Sequence, residues 1–337
     1  MTESSYQFLP AADSGRMAML SRGREVIRIE ASALAQLELA LDETFVAACA
    51  LIVASRRRVV VSGMGKSGHI GRKLSATFSA TGTPSVFLHP AEAAHGDLGM
   101  MVQGDVLIVI SNSGNTRELR TVITHAQHMG VKIIGIVSEA MSMVGEQADV
   151  LLTLPSLPEA CAGSMAPTTS TTLQLALGDA LALAVMDARG VTHSRIRALH
   201  PGGAIGLRLT PVAELMHGPA ELPLVGQATP MAEVVSVITN CRFGIAGVTD
   251  DRGELVGIIT DGDLRRHFAI LPTAVAGQVM TRAPRSIPSE MLAADALQFL
   301  NDSKITVAFI VNRHDPVPGH RPVGIIHIHD LLQMGLN

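Results

Sequence analysis

Short runs of branched apolar residues, separated by polar loops and helical patterns, recur through the first half of the chain. Each run is almost continuously apolar, which is typical of parallel strands buried on both faces. The segments between them carry helical patterns at 70–79, 119–128 and 141–147. This alternation predicts an α/β fold, a doubly wound parallel five-stranded sheet with helices on both faces. The predicted strands span residues 59–61, 85–88, 106–110, 133–137 and 150–154.

Helical patterns flank this alternation on both sides. Apolar residues at helical spacing predict one or two helices within 27–55, and a longer helix over 170–188 closes the domain. The turn at 200–203 (HPGG) then breaks the pattern. We therefore expect an N-terminal extension at residues 1–26 and the α/β domain at residues 27–205.

The chain changes character after Pro211, where an internal repeat begins. Residues 212–216 (VAELM) match residues 276–280 (AGQVM), and residues 257–264 (GIITDGDL) match residues 324–331 (GIIHIHDL). The offset is 64 positions at the methionines and 67 at the glycines, so a module is duplicated with a small insertion. Each copy resembles a cystathionine-β-synthase-type (CBS) repeat, and two such repeats normally pair into one unit. The expected copies, forming an α+β domain, are residues 212–270 and 276–337.

Composition excludes several classes of protein and partner. The chain has 337 residues, 47% of them apolar and 17% charged, which is enough for two domains with large cores. A net charge of −4 offers no basic surface for nucleic acid. No apolar stretch reaches the roughly 20 residues of a membrane span, and the N-terminus has no signal-peptide pattern. Cys49, Cys161 and Cys241 are far apart and lack metal-site spacing, which indicates a reducing compartment. We expect a cytoplasmic protein without a nucleic-acid or membrane partner.

A glycine-rich loop, GMGKSG at 63–68, lies between the first strand and the next helix. Backbone N–H groups at such a helix start favour binding of an anion, and we expect that anion to be a phosphate group. The loop also fits GxGxxG, so a dinucleotide-binding domain is the rival interpretation. That rival needs an acid at the end of the second strand, where this chain has His89 and Pro90. The spacing excludes a Walker A loop, and a turn without ligand is the plain alternative.

A second polar loop, SNSGNT at 111–116, follows the third strand. Hydroxyls, a flexible glycine and a helix start together suit a neutral phosphate cradle. A helix cap is the alternative, but a cap needs one hydroxyl and this loop offers three.

Four motifs in order, followed by the two repeats, resemble arabinose 5-phosphate isomerases, whose catalytic domain is the sugar isomerase (SIS) domain. They are residues 63–69, 89–99 (HPAEAAHGDLG), 111–114 and 200–203. The resemblance implies interconversion of D-ribulose 5-phosphate and D-arabinose 5-phosphate, which supplies 3-deoxy-D-manno-octulosonate for lipopolysaccharide in a Gram-negative bacterium. It also implies a homotetramer with shared active sites. The implied phosphosugar-binding residues are Gly65, Ser67, His95, Ser111, Asn112, Ser113, Thr116, Thr168 and Ser170.

Aldose–ketose isomerisation needs a carboxylate base, a second acid–base group and a cation near the developing oxyanion. Lys66, Glu118, Glu159 and His200 occupy the positions implicated in catalysis in this family. We expect one glutamate to move the proton between C1 and C2, and His200 to act in ring opening or oxygen proton transfer. Singly, each has an ordinary alternative, such as a helix-start acid or a turn residue. The alternative is a non-catalytic phosphosugar sensor, which would have no need of all four residues at once.

Two features qualify the resemblance. His89, Glu92, His95 and Asp97 form a metal-like cluster. An enediol mechanism requires no metal or cofactor, so we expect at most an inhibitory metal at His95. Asn115 stands where an acid is common, and the loop at 161–167 is atypical, which leaves another phosphosugar open as substrate.

The first repeat carries Thr260 and Asp263, which resemble the CBS element that holds a nucleotide ribose. The second repeat keeps Asp330 but has His327 in place of the threonine. A nucleotide or nucleotide-sugar effector is one expectation for the pair, and simple dimerisation of the enzyme is the other.

Overall fold

The computed structural model describes residues 13–161, 163, 165–312 and 321–336. The chain divides into two compact units, Met1–Thr192 and His193–Asn337. Ala162 and Ser164 of the atypical loop lie outside the described residues, as do residues 1–12 of the expected extension and residues 313–320 and 337 of the second repeat.

The first unit is built on one parallel sheet of five strands in the order β2-β1-β3-β4-β5. This confirms the predicted fold class. Every residue of β1 and β3 is buried, as continuous apolar runs require when helices cover both faces. The strands are β1 Val59–Gly63, β2 Ser85–Phe87, β3 Val106–Ile110, β4 Lys132–Val137 and β5 Val150–Thr153.

Helices form a layer on each face of this sheet. The core of one face contains residues of α1, α2, α3 and α7, and the core of the other contains residues of α4, α5 and α6. The sheet is therefore doubly wound. The helices are α1 Asp13–Ala40, α2 Glu43–Ala54, α3 Gly65–Ala80, α4 Pro90–Ala93, α5 Leu119–His128, α6 Met143–Gln147 and α7 Thr169–Ala188, with a short 3₁₀ turn at Asp97–Met100.

Helix α1 begins at Asp13, well before the expected start near residue 27. The sequence does not predict this early start, because residues 13–26 carry no apolar stripe at helical spacing. Met17 and Leu20 of this segment remain exposed. Only the C-terminal half of α1 contributes buried residues, Ala33 and Leu37, to the core.

Helix α7 corrects one expectation about membranes. It has 20 residues and is apolar enough to cross a bilayer by length and composition, so the prediction that no stretch reaches this size was wrong. Half of its most apolar window is buried inside the structure. Leu173, Leu177 and Leu181 lie in the core of the first unit, so its hydropathy is that of a helix packed within a protein.

The second unit contains two sheets of matching design, which confirms the duplicated module. In each, one short strand pairs in parallel with the first strand of an antiparallel hairpin, and a short helix follows the hairpin. The sheet of the first repeat contains β6 Leu224–Gly226, β7 Ile245–Thr249 and β8 Leu255–Thr260, and it is extended by β9 Thr281–Arg282, which comes from the start of the second repeat. The second contains β10 Ser286–Pro288, β11 Val307–Val311 and β12 Pro322–His327.

Its helices join the repeats to each other and to the turn at 200–203. They are α8 His193–Leu199, α9 Ala204–Arg208, α10 Met231–Cys241, α11 Asp261–Arg266, α12 Ala276–Val279, α13 Ala293–Ser303 and α14 Ile328–Gln333, with 3₁₀ turns at Val212–Glu214 and Pro219–Glu221.

Candidate active site

The two polar loops meet at the carboxyl ends of β1 and β3. These strands are neighbours in the sheet, with Gly63 opposite Ile110. The helices that follow them, α3 and α5, pack on opposite faces of the sheet. In an open α/β sheet, the crevice at such a switch point is where ligands bind. The fold therefore brings both predicted phosphate loops to one crevice.

The glycine-rich loop owes its shape to close contact between β1 and the first turn of α3. A Cβ atom on Gly68 would lie 2.5 Å from the carbonyl oxygen of Gly63, so only glycine fits there. Gly65 has a φ of +58°, which also favours glycine. Met64, at the N-cap, provides no side-chain acceptor, so the amides of the first turn are open to an anion. Lys66 is exposed beside them and Ser67 is half-buried.

The serine-rich loop is held by its own hydrogen bonds. Ser111 is buried, and its Oγ lies 2.9 Å from Thr116 Oγ1 and accepts from the Gly114 amide at 3.1 Å. Asn112 Oδ1 accepts from Ser138 Oγ at 2.6 Å. Ser113 is exposed and its Oγ accepts from the amide of residue 115 at 3.3 Å. The loop thus presents a fixed set of hydroxyls at the crevice.

Asn115 has a structural task that its sequence position did not reveal. Its Oδ1 accepts from the backbone amide of Met143, the first residue of α6, at 3.0 Å. Its Nδ2 donates to the carbonyl of Ser113 at 3.2 Å. Asparagine therefore ties the loop to α6 at a position where an acid is common in the family.

Helix α7 brings Thr168 and Ser170 to the same edge of the sheet. Helices α3 and α7 pack together, and the turns after them meet, since a Cβ on Gly82 would lie 3.3 Å from the side chain of Val191. The two helices therefore run in the same direction from the carboxyl edge. Their first turns, which carry Ser67 and Ser170, lie on the same face of the sheet.

Glu159 caps the start of α7. One carboxylate oxygen accepts from the backbone amides of Thr168 at 2.7 Å and Ser170 at 3.2 Å, and from Thr168 Oγ1 at 3.2 Å. The other accepts from Ser170 Oγ. Partial burial tends to raise the pKa of Glu159, but the hydrogen bonds from Ser170 and Thr168 outweigh it and leave the pKa below its usual range. This carboxylate is therefore ionised at neutral pH and firmly held.

Glu118 differs from Glu159 in its surroundings. It occupies the N-cap position of α5, just beyond the serine-rich loop, and its side chain does not cap the helix. It is exposed, and its carboxylate has no hydrogen-bond partner among the residues that the structure describes. Glu118 is thus free to approach a bound ligand.

Two further predicted site residues belong to other segments of the chain. His95 is exposed in the turn between α4 and the 3₁₀ turn Asp97–Met100. His200 follows α8 in the second unit, where it is half-buried with its Nδ1 2.8 Å from the carbonyl oxygen of Ile196. Within the described parts of the chain, no group of three or more His, Cys, Asp or Glu side chains is arranged to hold a metal.

The second unit contains a cavity of about 680 Å³ between the repeats. Arg242, Arg285 and Lys304 line it, and none of these three cations forms an ion pair within the described residues. All three described non-glycine residues with positive φ, Arg242, Ala283 and Lys304, also line it. Such backbone conformations cluster at ligand sites.

The expected ribose clamp is already engaged inside the protein. One carboxylate oxygen of Asp263 accepts from the amide and hydroxyl of Thr260 at 2.9 and 2.7 Å. The other accepts from Arg266 at 2.6 Å and Thr281 Oγ1 at 3.0 Å. Asp330 Oδ2 accepts from the amide of His327 and lies 3.2 Å from His217 Nε2. Thr260 and His327 line the cavity, while neither carboxylate does.

Fold and site together define a sugar isomerase domain followed by a CBS pair. The chain matches the SIS domain family over residues 52–184 and the CBS domain family over residues 212–270 and 276–336. Arabinose 5-phosphate isomerase KdsD of Pseudomonas aeruginosa is 40% identical over 327 residues, covering 96% of this chain and 99% of that protein. KdsD of Yersinia pestis is 41% identical over 318 residues, covering 93% and 95%. The chain belongs to the arabinose 5-phosphate isomerase family.

Solved structures agree with this assignment over the first unit. An E. coli CFT073 protein in complex with arabinose 5-phosphate is 34% identical, with a TM-score of 0.53, and matches 56% of this chain and 100% of its own. A phosphosugar isomerase from Bacteroides fragilis, described as involved in capsule formation, is 37% identical with a TM-score of 0.53, covering 55% and 98%.

Proposed function

We propose that this protein is an isomerase that interconverts D-ribulose 5-phosphate and D-arabinose 5-phosphate through an enediol. The observation that carries the proposal is the single crevice at the carboxyl edge of the sheet. The loops after β1 and β3 and the first turn of α7 supply amides and hydroxyls suited to a phosphate, and Glu118 and Glu159 belong to the same segments. Family membership at 40% identity over nearly the whole chain supports the choice of sugar.

The substrate phosphate binds between the two loops. The open amides of the first turn of α3 and the hydroxyls of Ser67, Ser111 and Thr116 hydrogen-bond its oxygens, with Gly65, Asn112 and Ser113 shaping the loops. Lys66 stands beside them and stabilises negative charge on the phosphate or on the enediolate. Thr168 and Ser170 hold Glu159 in place at the sugar end.

Glu118 is the better placed of the two glutamates to move the proton. Its carboxylate is free, whereas that of Glu159 is held by four hydrogen bonds that reduce its basicity. Starting from arabinose 5-phosphate, Glu118 removes the proton on C2, the C2 electrons form the C1–C2 double bond, and the C1 carbonyl oxygen becomes the enediolate oxygen. A proton moves from the C2 hydroxyl to the C1 oxygen, and Glu118 returns its proton to C1, which gives ribulose 5-phosphate. His200 serves ring opening or oxygen proton transfer.

Solvent isotope exchange tests this reaction class. In D₂O, arabinose 5-phosphate should yield ribulose 5-phosphate with deuterium at C1, detected by proton NMR, because a carboxylate-borne proton exchanges with water. Product with no deuterium at all would contradict the enediol route. No turnover with retained sugar binding would favour a phosphosugar sensor.

We further propose that the enzyme works in the cytoplasm as a homotetramer and feeds synthesis of 3-deoxy-D-manno-octulosonate. Three cysteines without disulfides fit a reducing compartment. Large apolar side chains of α1 and α2, including Ile27, Leu39 and Val46, are more than half exposed, which suits burial against sister subunits. Light scattering during gel filtration should give four times the mass of one chain, and a monomer would contradict this.

For the CBS pair, we propose a nucleotide or nucleotide-sugar effector bound through its phosphates. The unpaired cations Arg242, Arg285 and Lys304 favour an anion, while the carboxylate of Asp263, the expected ribose ligand, is already engaged within the protein. Calorimetry with adenine and cytidine nucleotides should show binding that Lys304→Met weakens about tenfold. Substitution of Lys132, an exposed lysine of the first unit, serves as control. Absence of binding to the wild type would leave dimerisation as the role of the pair.

A further inference from the structure

His89 stands at the carboxyl end of β2, beside the glycine-rich loop. Pairing of β1 with β2 continues past the strand end, since the Leu88 amide donates to the Val61 carbonyl at 2.8 Å and Ser62 Oγ donates to the Leu88 carbonyl at 2.8 Å. His89 itself keeps extended backbone angles, φ −74° and ψ 127°. Because the register pairs Val61 with Phe87, it brings residue 89 level with Gly63.

The face of His89 follows from Phe87, two residues earlier. Phe87 packs under α3, since a Cβ on Gly71 would lie 3.0 Å from its ring and one on Gly68 would lie 3.6 Å from it. In extended chain, residues i and i+2 point to the same face. His89 therefore lies on the α3 side, one step closer to the carboxyl edge than Phe87, at the level of the first turn that carries Lys66 and Ser67. The two rings are 6.3 Å apart, consistent with this order.

The two nitrogens of His89 have different surroundings. Nδ1 is buried and has no hydrogen-bond partner in the described structure. Nε2 is not among the buried atoms and has no partner among the described residues either. A proton on Nδ1 would be buried without an acceptor, whereas a proton on Nε2 can reach an acceptor supplied by a ligand. The neutral ring therefore carries its proton on Nε2.

We propose that His89 is a further ligand of the substrate phosphate, donating a hydrogen bond from Nε2–H to an oxygen of the phosphate held at the first turn of α3. It flanks α3 on the side away from the serine-rich loop, so the anion is contacted from both sides. This inference rests on the proposed phosphosugar site and adds a residue that the sequence pattern presented only as a metal-like histidine.

Calorimetry tests the proposal without requiring turnover. Arabinose 5-phosphate and inorganic phosphate are titrated into the full-length wild type, His89→Leu, His89→Gln and the control His128→Leu, which alters the exposed last residue of α5. We expect the leucine variant to raise both dissociation constants about tenfold. The glutamine variant, which keeps a donor, should stay within about threefold, and the control should match the wild type. In turnover, KM should rise with little change in kcat, as for a group that binds ground state and transition state alike.

Two outcomes would overturn the role of His89: unchanged binding by the leucine variant, or equal weakening by the glutamine variant. If the leucine variant does not fold, ¹H–¹⁵N spectra of the wild type decide, because the Nε2 signal of a neutral Nε2–H ring should move when inorganic phosphate is added. A proton on Nδ1, or no response to phosphate, would contradict the proposal. A wild type that binds the sugar phosphate without isomerising it would refute the proposed function. The binding comparison between the wild type and the His89 variants would still test the role of His89.

Discussion

At the scale of single residues, Glu159 joins the candidate chemistry to the stability of the fold. Its carboxylate receives hydrogen bonds from two amides and two hydroxyls at the start of α7, where it also meets the positive end of the helix dipole. The sequence predicts Glu159 as a catalytic residue after the fifth strand, and it does not predict a helix cap there. Capping across nine residues depends on how the intervening loop folds, which no local pattern reveals.

We expect Glu159→Gln to lower the free energy of unfolding of the first unit by about 1 kcal/mol at neutral pH, the usual size of a lost cap. Because the folded pKa lies below the unfolded one, the wild-type advantage is complete above the ordinary glutamate pKa and disappears as pH falls through the folded value. Urea unfolding at several pH values measures this. Glu146→Gln, an exposed glutamate of α6, is the control, and a difference that persists in acid would contradict the capping role.

Glu118 and Asp263 also show that a local sequence pattern does not reveal whether a carboxylate is free or hydrogen-bonded. The carboxylate of Glu118 is free, whereas that of Asp263 is engaged. Asp263 ends the short polar motif 260–263, and Glu118 follows the polar loop 111–116 by two residues. Asp263 is bound by Thr281, 18 residues further along the chain, so its ribose-clamp role could not be judged from the motif alone.

At the scale of elements, the sequence predicts the strands of the sheet more accurately than it predicts where the helices begin and end. Continuous runs of branched apolar residues predict buried strands, and the predicted strands match the observed ones to within two residues. The early start of α1 escaped notice because residues 13–26 lack an apolar stripe. The meeting of the α3 and α7 first turns came only from family resemblance, since it depends on packing between distant segments.

The contact between β1 and α3 gives the clearest test at this scale. Gly68→Ala should destabilise the first unit by roughly 1–3 kcal/mol and weaken phosphate binding, because its Cβ would collide with the Gly63 carbonyl and push α3 away from the strand. Gly23→Ala is the matched control. It lies in α1 with nothing within 4 Å of the added Cβ, so it should stabilise the helix by about 0.5–1 kcal/mol. Thermal unfolding and phosphate titration report both; equal behaviour of the two variants would be inconsistent with a packed loop.

At the scale of the whole molecule, the domain boundary decides whether the first unit works alone. The sequence predicts this boundary at residue 205, whereas contacts within the structure divide the chain after Thr192, which assigns His200 to the second unit. The E. coli CFT073 protein, matched over its full length, corresponds to little more than half of this chain, so a chain of this size can fold alone.

Two truncations separate binding from catalysis. A chain ending at residue 205 keeps His200 and should isomerise arabinose 5-phosphate, although it loses the CBS pair. A chain ending at residue 192 should bind the sugar phosphate, since both loops and Glu159 remain, but should lose turnover by at least about a hundredfold. Activity assays and calorimetry on the same preparations check this. Equal activity of both truncations would show that His200 has no catalytic role.

The most direct measurement is turnover of ribulose 5-phosphate by purified full-length protein in the presence of a chelator, beside Glu118→Gln and His200→Ala. We predict arabinose 5-phosphate formation by the wild type and a fall in kcat of about a hundredfold or more in each variant, with sugar binding retained. A wild type that binds ribulose 5-phosphate and never converts it, or variants as active as the wild type, would contradict the isomerase mechanism.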